Sequence, residues 1–182
     1  MRLGDQTEHG LDAIDRQLLG LLQDDCRTSL VRLGEQVGLS APSVLERIKK
    51  METAGVITGY HALVDARRVG LDITAFIGVL IGHPKLITSF EERVRALDDV
   101  LECHHVTGEY TLLLKVKTAN TSSLERLISQ IRSIEGVGRT ETLVVLSTHT
   151  ERVQVALRPR PPDSDTSGRR SRRNGAPQLR RA

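Results

Sequence analysis

Apolar residues in the N-terminal third of the chain recur three or four positions apart, which predicts three amphipathic helices. Asp12, Ser29 and Ser40 lie at their N-terminal ends, and short polar side chains of this kind accept hydrogen bonds from the first free amides of a helix. Asp15, three residues after Asp12, suits the positive end of the helix dipole. The predicted helices cover residues 11–25, 30–37 and 41–54.

Glycines divide these helices in a way that predicts a helix-turn-helix. Gly38 follows the second helix, where a left-handed residue is needed, and only Leu39 and Ser40 separate it from the third. Gly34 is small enough for a close approach of backbone. After Gly55 the residues 56–64 predict a strand with a glycine turn, compatible with a small wing.

From residue 72 the pattern changes to strands alternating with helices. The continuous β-branched run of residues 73–81 predicts a buried strand. Pro84 opens a predicted helix, and Thr121 or Ser122 caps another. The remaining predicted strands are 100–107, 111–116 and 137–148. With right-handed crossovers, the order β-α-β-β-α-β predicts a ferredoxin-like sandwich, so the chain is expected to be α+β. One face of this sheet would stay free of helices, and we expect a second copy of the chain to cover it.

Charge is distributed unevenly along the 182 residues. Residues 158–182 contain eight Arg and two Asp, so the net charge of +3 belongs to this segment and residues 1–157 are net acidic. Four of the six prolines also lie there, and the composition predicts a disordered tail. Two interpretations stay open: a polycationic arm that adds salt-sensitive DNA affinity, or a solvated extension without a role.

Composition and motifs exclude several classes of function. Aromatic residues are 2% of the chain, too few to favour recognition of RNA by stacking. The apolar run of residues 73–82 is too short to span a bilayer, and the polar, flexible N-terminus of residues 1–10 lacks a signal core. Cys26 and Cys103 form no disulfide framework, so a reduced cytoplasm is expected. Nucleophile-elbow, Walker, dinucleotide and zinc-protease motifs are absent, which argues against an enzyme.

The third helix carries a polar, mostly basic outer surface, which in a helix-turn-helix enters the major groove. Arg47 suits a bidentate contact to guanine. Lys49 and Lys50 suit phosphate or guanine, and Ser43 suits phosphate or a base edge. Glu46 lies among them. The alternative interpretation is an ordinary solvated, charged helix face.

Residues 102–111 contain most of the other unusual side chains. His104 and His105 are adjacent on a strand and therefore point to opposite faces. Cys103 and His105 share a face but are too few for a metal, so no metal site is expected. Gly108 predicts a turn. That turn is either a plain hairpin or a place where a backbone amide approaches a small anionic ligand.

Several segments together resemble the Lrp/AsnC, or feast/famine, family of transcription factors. The resemblance covers residues 11–150 in the expected order and leaves the tail outside. It is carried by residues 11–19, 25–29, 38–48, 55–60, 102–110 and 112–115.

The resemblance implies a winged helix-turn-helix over 11–60, an extended linker over 61–71 and a ferredoxin-like domain over 72–150. Family members dimerise through their sheets, often assemble into octamers, and bind amino acids in clefts between neighbouring ligand domains. No cofactor is implied beyond such an effector. Carried over by position, DNA contact falls on Ser43, Arg47, Lys49 and Lys50. The effector site falls on Gly108, Glu109, Tyr110, Thr111, Thr140 and Thr142.

Thr111 departs from the family pattern, in which many members have an acidic residue after glycine-x-x. A threonine hydroxyl hydrogen-bonds without supplying charge, so the effector is expected to differ, to bind more weakly or to be absent.

Two other functions stay open. Siroheme decarboxylases resemble the family in both domains, and His104 and His105 are compatible with them. An amino-acid-sensing accessory subunit would instead bind a protein partner and no duplex DNA.

Overall fold

A computed structural model describes residues 10–157, and these form two compact units. The first unit comprises residues 10–58 together with 153–157, and the second comprises Gly59–Arg152. The predicted Arg-rich tail and most of the predicted flexible N-terminus lie outside the described residues.

The first unit is built from three helices, as the apolar spacing predicts. They are α1 (Ala13–Asp24), α2 (Leu30–Val37) and α3 (Ala41–Thr53). Asp12 and Asp15 form a reciprocal capping box at the start of α1, and Ser29 and Ser40 cap α2 and α3. All three predicted N-caps are confirmed, because capping depends on residues only two or three positions apart.

The turn between α2 and α3 depends on a close backbone contact at Gly34. A Cβ at that position would lie 2.4 Å from the carbonyl oxygen of Leu39. The amide of Leu39 also donates to the Gly34 carbonyl, at 2.9 Å. Gly38 ends α2 in the left-handed conformation, with φ at 71°. The tight turn of the predicted helix-turn-helix is therefore confirmed.

The predicted wing strand over 56–64 is wrong. The amides of Val56 and Ile57 both donate to the carbonyl of Met51, so the chain wraps around the end of α3 instead of extending. Both side chains then pack against the core of the three helices. Within the described chain, residues 56–64 pair with no strand, and a strand needs such a partner.

The second unit is a four-stranded antiparallel sheet with two helices, which confirms the β-α-β-β-α-β order. Its strands lie in the order β2-β3-β1-β4. The elements are β1 (Ile73–Ile81), α4 (Ile87–Arg95), β2 (Val100–His105), β3 (Leu112–Thr118), α5 (Thr121–Arg132) and β4 (Val137–Val144). The predicted linker contains a short 3-10 turn at Arg67–Val69.

Side chains alternate between two faces of this sheet. On the core face, Ala75, Ile77 and Val79 are fully buried and pack against α4 and α5 through residues such as Phe90 and Ile131. The opposite face, which we call the free face, carries the residues between them and their cross-strand partners. It contains Phe76, Gly78, Leu80, Leu113, Lys115, Lys117, Arg139, Glu141 and Leu143.

Some element ends differ from the predicted ones. Pro84 opens a short 3-10 turn, and α4 begins only at Ile87. The cap of α5 is Asn120, because its side chain and that of Ser123 exchange hydrogen bonds with each other's backbone amides. β4 ends at Val144, which pairs with Ala75, and one further bond runs from the Val145 amide to the Thr74 carbonyl at 2.9 Å. β2 ends at His105 and β3 covers Leu112–Thr118.

Among residues 10–157, every helix is too short or too polar to span a lipid bilayer.

Candidate functional site

The outer face of α3 is defined by Ser43, Glu46, Lys49 and Lys50. Lys49, Lys50 and Glu46 are exposed, and Ser43 is half-buried. Residues three or four apart are neighbours on a helix, so Ser43, Glu46 and Lys50 form one row. The opposite side of α3, with Val44, Ile48 and Met51, is buried in the core of the first unit. Core packing on one side therefore presents a polar, mostly basic surface on the other.

Ser43 is held near the N-terminus of α3 by its neighbour Ser40. The two hydroxyl oxygens lie 2.9 Å apart, and the Ser43 amide donates to Ser40 Oγ at 3.4 Å. Free amides at the start of a helix favour an anionic group. Ser43 therefore stands where a phosphate oxygen would meet both a hydroxyl and the positive end of the helix.

Arg47 points toward α1. Its Nη1 donates to Asp12 Oδ2 and to Asp15 Oδ1, each at 2.7 Å. The backbone amide of Asp15 and the Arg47 guanidinium together hold the pKa of Asp12 below its usual value. The two carboxylates in turn raise the pKa of Arg47. A guanine contact, which we predicted for Arg47, would require these two bonds to break. The structure thus separates Arg47 from the three other predicted DNA contacts.

The predicted effector loop, Gly108–Thr111, connects β2 to β3. The turn is closed by the Val106 amide, which donates to the Thr111 carbonyl at 3.1 Å, and Gly108 has φ at 115°. Thr111 forms two hydrogen bonds with the backbone of β1. Its amide donates to the Val79 carbonyl at 2.9 Å, and its hydroxyl oxygen accepts from the Ile81 amide at 3.1 Å. The hydroxyl of Thr111 therefore extends the sheet in this structure.

Tyr110 lies flat on the free face. A Cβ at Gly78 would come within 2.7 Å of the Tyr110 ring, so only glycine leaves room beneath it. The phenol donates a hydrogen bond to Glu141, and this bond raises the pKa of Tyr110. Arg139 links Glu141 to Glu109, with both distances at 3.1 Å. We call Glu109, Tyr110, Arg139 and Glu141 the Tyr110 cluster.

Arg139 and Glu141 are not among the predicted site residues, and each lies 30 or more residues along the chain from its partner in the loop. Strand register would have found them, because Glu141 pairs with Gly78. Thr140 and Thr142 pair instead with Val79 and Ile77, so they lie on the core face. The structure therefore brings Glu109 and Tyr110 together, with Gly108 and Thr111 in the same turn, and places Thr140 and Thr142 on the other side of the sheet.

A second charged group lies along β2 and β3. Glu102 accepts from His104 at 3.0 Å and from Lys115 at 3.2 Å, and the hydrogen bond from His104 is the largest cause that lowers the pKa of Glu102. Lys115 also donates to Glu151. His105 pairs with Leu112 on the core face, opposite to His104. Within residues 10–157 no three His, Cys, Asp or Glu side chains are grouped to hold a metal ion.

Comparison with known proteins finds two family domains, one over the three helices of the first unit and one over the sheet of the second unit. Residues 11–52 match the AsnC-type helix-turn-helix domain, and residues 74–155 match the Lrp/AsnC ligand binding domain. The chain belongs to the Lrp/AsnC family. It is a DNA-binding transcriptional regulator of that family, with an N-terminal helix-turn-helix.

Relatives of this Lrp/AsnC chain agree in sequence and in structure. Regulatory protein AsnC of Escherichia coli is 34% identical over 137 residues, which cover 75% of this chain and 90% of that protein. The solved structure of E. coli AsnC superimposes with a TM-score of 0.74 at 33% identity, covering 79% of this chain and 97% of AsnC. E. coli AsnC is a regulatory protein.

Two other Lrp/AsnC structures contain an amino acid. A transcriptional regulator from Neisseria meningitidis in complex with L-Met has a TM-score of 0.77 at 31% identity, covering 81% of this chain and 97% of that one. A feast or famine regulatory protein from M. tuberculosis complexed with L-methionine has a TM-score of 0.75 at 32% identity, covering 80% and 98%. The Arg-rich tail lies beyond both matched domains of this chain.

Proposed function

We propose that this regulator binds duplex DNA as a homodimer through the outer face of α3, and that an amino acid modulates this binding in the cytoplasm. The observation that carries the proposal is the position of Lys49 and Lys50. Both are exposed on the helix whose other side is fixed by Val44, Ile48 and Met51. A rigid helix with cations on its outer side is the arrangement that enters a major groove.

Each polar residue of α3 has a separate proposed role. Lys49 and Lys50 neutralise phosphates or donate to guanine, and Ser43 donates to a phosphate or base edge at the helix N-terminus. Glu46 suits a cytosine amino group. Arg47, engaged by Asp12 and Asp15, acts as a positioning residue that holds α3 against α1.

The free face of the sheet supports self-association. Leu80 and Leu143 are 41% and 56% exposed there, and Phe76 and Leu113 lie beside them. Burying such a face against an identical one gives a two-fold dimer, in which the same patch contacts itself. A two-fold dimer would read pseudo-palindromic DNA with half-sites spaced by about one helical turn or a multiple of it.

The effector is proposed to be an amino acid that binds at the Gly108–Thr111 turn, between neighbouring second units in a dimer or an octamer. The L-methionine complexes of two relatives support this class of ligand. Thr111 supplies no charge, but the carboxylates of Glu109 and Glu141 lie in the Tyr110 cluster and suit an ammonium group. By linkage, an effector that changes DNA affinity has its own affinity changed by DNA to the same degree.

The test is fluorescence anisotropy of the full chain on duplex DNA from its own upstream region and on an unrelated duplex, across a salt series. Lys50→Ala should weaken binding and reduce the salt slope by about one unit if it contacts a phosphate. Lys49→Ala is titrated beside it, and Lys85→Ala, an exposed lysine of the second unit, is the matched control. Equal binding to both duplexes that neither α3 variant changes would contradict the proposal.

Effector binding is tested by isothermal titration with a panel of amino acids, with and without DNA. Heat of binding together with a shift in oligomer size supports the proposal, whereas no heat for any amino acid would contradict the proposed amino-acid effector.

The siroheme decarboxylase alternative has its own test. A spectral change on adding the tetrapyrrole would favour that enzyme, because its ring absorbs in the visible.

A further inference from the structure

The chain returns to its DNA-binding unit after completing the second unit. Residues Val153–Leu157, called the C-terminal strap, belong to the same compact unit as α1, α2 and α3. The strap is held by Gln23, near the end of α1. The Val155 amide donates to Gln23 Oε1 at 2.7 Å, and Gln23 Nε2 donates back to the Val155 carbonyl at 3.2 Å. One side chain therefore satisfies both backbone groups of Val155.

Two more contacts fasten the strap. Gln154 Nε2 donates to the Gln23 carbonyl at 2.9 Å and to Asp24 Oδ1 at 3.1 Å. The last carbonyls of a helix lack partners within it, so Gln154 serves as a C-terminal cap for α1. Leu157 then packs against the apolar core of the three helices. The strap is thus joined to the first unit by hydrogen bonds and by burial, up to its last described residue.

The sequence that follows Leu157 is the most basic part of the chain. Arg158 and Arg160 come first, and Arg169, Arg170, Arg172 and Arg173 form a cluster. The full segment 158–182 has eight Arg against two Asp, whereas the rest of the chain is net acidic. Chains with this charge bind the phosphate backbone without regard to sequence.

We propose that the C-terminal strap anchors the Arg-rich tail on the DNA-binding unit, so that the tail arginines contact phosphates of the same duplex that α3 reads. The proposal rests on the proposed function and adds to it a second, sequence-independent DNA contact. The anchor sets the starting point of the tail on the small unit that touches DNA, and not on the effector domain from which the chain emerges.

Distances make this contact feasible. A unit of this size has a radius of gyration of about 10 Å. The segment from Leu157 to Arg169 can extend to about 40 Å, so its arginines reach phosphates on either side of a site held by α3. Anchoring keeps the local concentration of these cations high at that duplex, as a short tether does for any linked binding element.

The first experiment replaces Arg169, Arg170, Arg172 and Arg173 by Gln in the full chain. Its charge-matched control replaces Arg93, Arg95, Arg126 and Arg132, all exposed on α4 and α5, by Gln. Each phosphate contact contributes about 0.9 to the salt slope. We expect the tail variant to lower the slope by up to about 3.6 units and to weaken the upstream and unrelated duplexes equally. The control should leave the slope unchanged.

Two outcomes of this experiment overturn the proposal. An unchanged slope in the tail variant means that the arginines do not reach phosphates. A rise in DNA affinity means that they normally bind the acidic surface of the protein itself and compete with DNA.

The second experiment tests the anchor with Gln23→Ala, in the wild type and in the four-glutamine tail variant. Gln17→Ala is the matched control, because Gln17 lies on the same helix and contacts Gln36 instead of the strap. Gln23→Ala should weaken DNA binding several-fold in the wild type and have no effect once the arginines are gone. An equal loss in both backgrounds would show that Gln23 only stabilises the helices, and no loss in either would show that the tail needs no anchor. Both results overturn the anchoring.

Lys50→Ala is titrated in parallel to separate this inference from the proposed function. The tail contacts carry no sequence preference, so discrimination between the two duplexes depends on α3 alone. If Lys50→Ala and Lys49→Ala leave discrimination and affinity unchanged, the proposed function fails. The salt slope of the tail variant still decides whether the tail binds DNA.

Discussion

The Nη1 atom of Arg47 lies 2.7 Å from Oδ1 of Asp15, so an ion pair joins the middle of α3 to the first turn of α1. Asp15 is nearly buried, and Arg47 is mostly covered. The same guanidinium nitrogen reaches Asp12, which caps α1. One cation thus stabilises the start of one helix and fixes the rotation of another.

Arg47→Ala and Asp15→Asn should each lower the midpoint of thermal unfolding, because the first leaves Asp15 without its cation and the second leaves Arg47 with Asp12 alone. The double variant should be little worse than Arg47→Ala alone, since both changes remove the same interaction. Circular dichroism melts measure this, with Arg32→Ala on the exposed side of α2 as the control. If Arg47→Ala weakens DNA binding without any change in the melt, Arg47 contacts DNA directly.

Lowering the pH should remove the contribution of Asp12 to the free energy of unfolding. Its pKa is lower in the folded chain than its ordinary value of 3.8, so the stabilisation is complete above that value and is lost as pH falls through the folded pKa. Asp12→Asn should therefore be less stable than the wild type at pH 7, and the difference should shrink below about pH 4. Urea unfolding at a series of pH values measures the difference. A gap that stays constant down to about pH 2 would show that the Asp12 charge does not stabilise the fold.

Gly34→Ala should destabilise the first unit by about 1–3 kcal/mol, because the new methyl group meets backbone and not a movable side chain. The matched control is Gly20→Ala in α1, where a Cβ meets nothing within 4 Å. That change should stabilise the chain by about 0.5–1 kcal/mol through helix propensity. Denaturant unfolding compares the two, and equal effects would rule out the close contact at Leu39.

Glu141→Gln should shift the ionisation of Tyr110 to lower pH. The hydrogen bond to the Glu141 carboxylate raises the pKa of Tyr110 above its ordinary value of 10.0, and an amide removes that negative charge. Absorbance titration of the phenolate shows the shift, and Tyr110→Phe identifies which tyrosine is responsible. An identical titration curve for Glu141→Gln would mean that the two side chains do not interact in solution.

Leu143→Glu should weaken self-association by about tenfold or more, because a dimer through the free face would bury an unpaired carboxylate. Sedimentation velocity over a concentration series measures the shift to smaller species. Val31→Glu is the control, since Val31 is 60% exposed on α2 of the other unit. If both variants sediment like the wild type, the free face is not the interface.

Local and distant interactions explain which features the sequence predicted. The caps Asp12, Ser29 and Ser40 depend on neighbours three residues away, so their positions were correct. The wing at 56–64 failed because a strand needs a partner that no local pattern supplies. Apolar spacing likewise assigned Arg47 to α3 but could not show that its flexible side chain turns to Asp15.

The candidate effector site shows the same limit. Gly108 and Thr111 were recognisable as a turn, and the order of strands followed from their connections. Which residues meet Tyr110, however, depends on the register between β1 and β4, because a shift of one residue exchanges the two faces. Glu141 was therefore missed, and Thr140, which was predicted beside the effector cleft, lies on the face of the sheet opposite to Tyr110.

The strap also gives the chain the topology of a domain insertion. The first unit is interrupted after Thr58 and resumes at Val153, so the second unit is inserted into the first and connected to it at both ends. A single protease cut between the units at residue 59 would divide the chain into two fragments. The strap, which belongs to the second fragment, would still bind the helices of the first through Gln23.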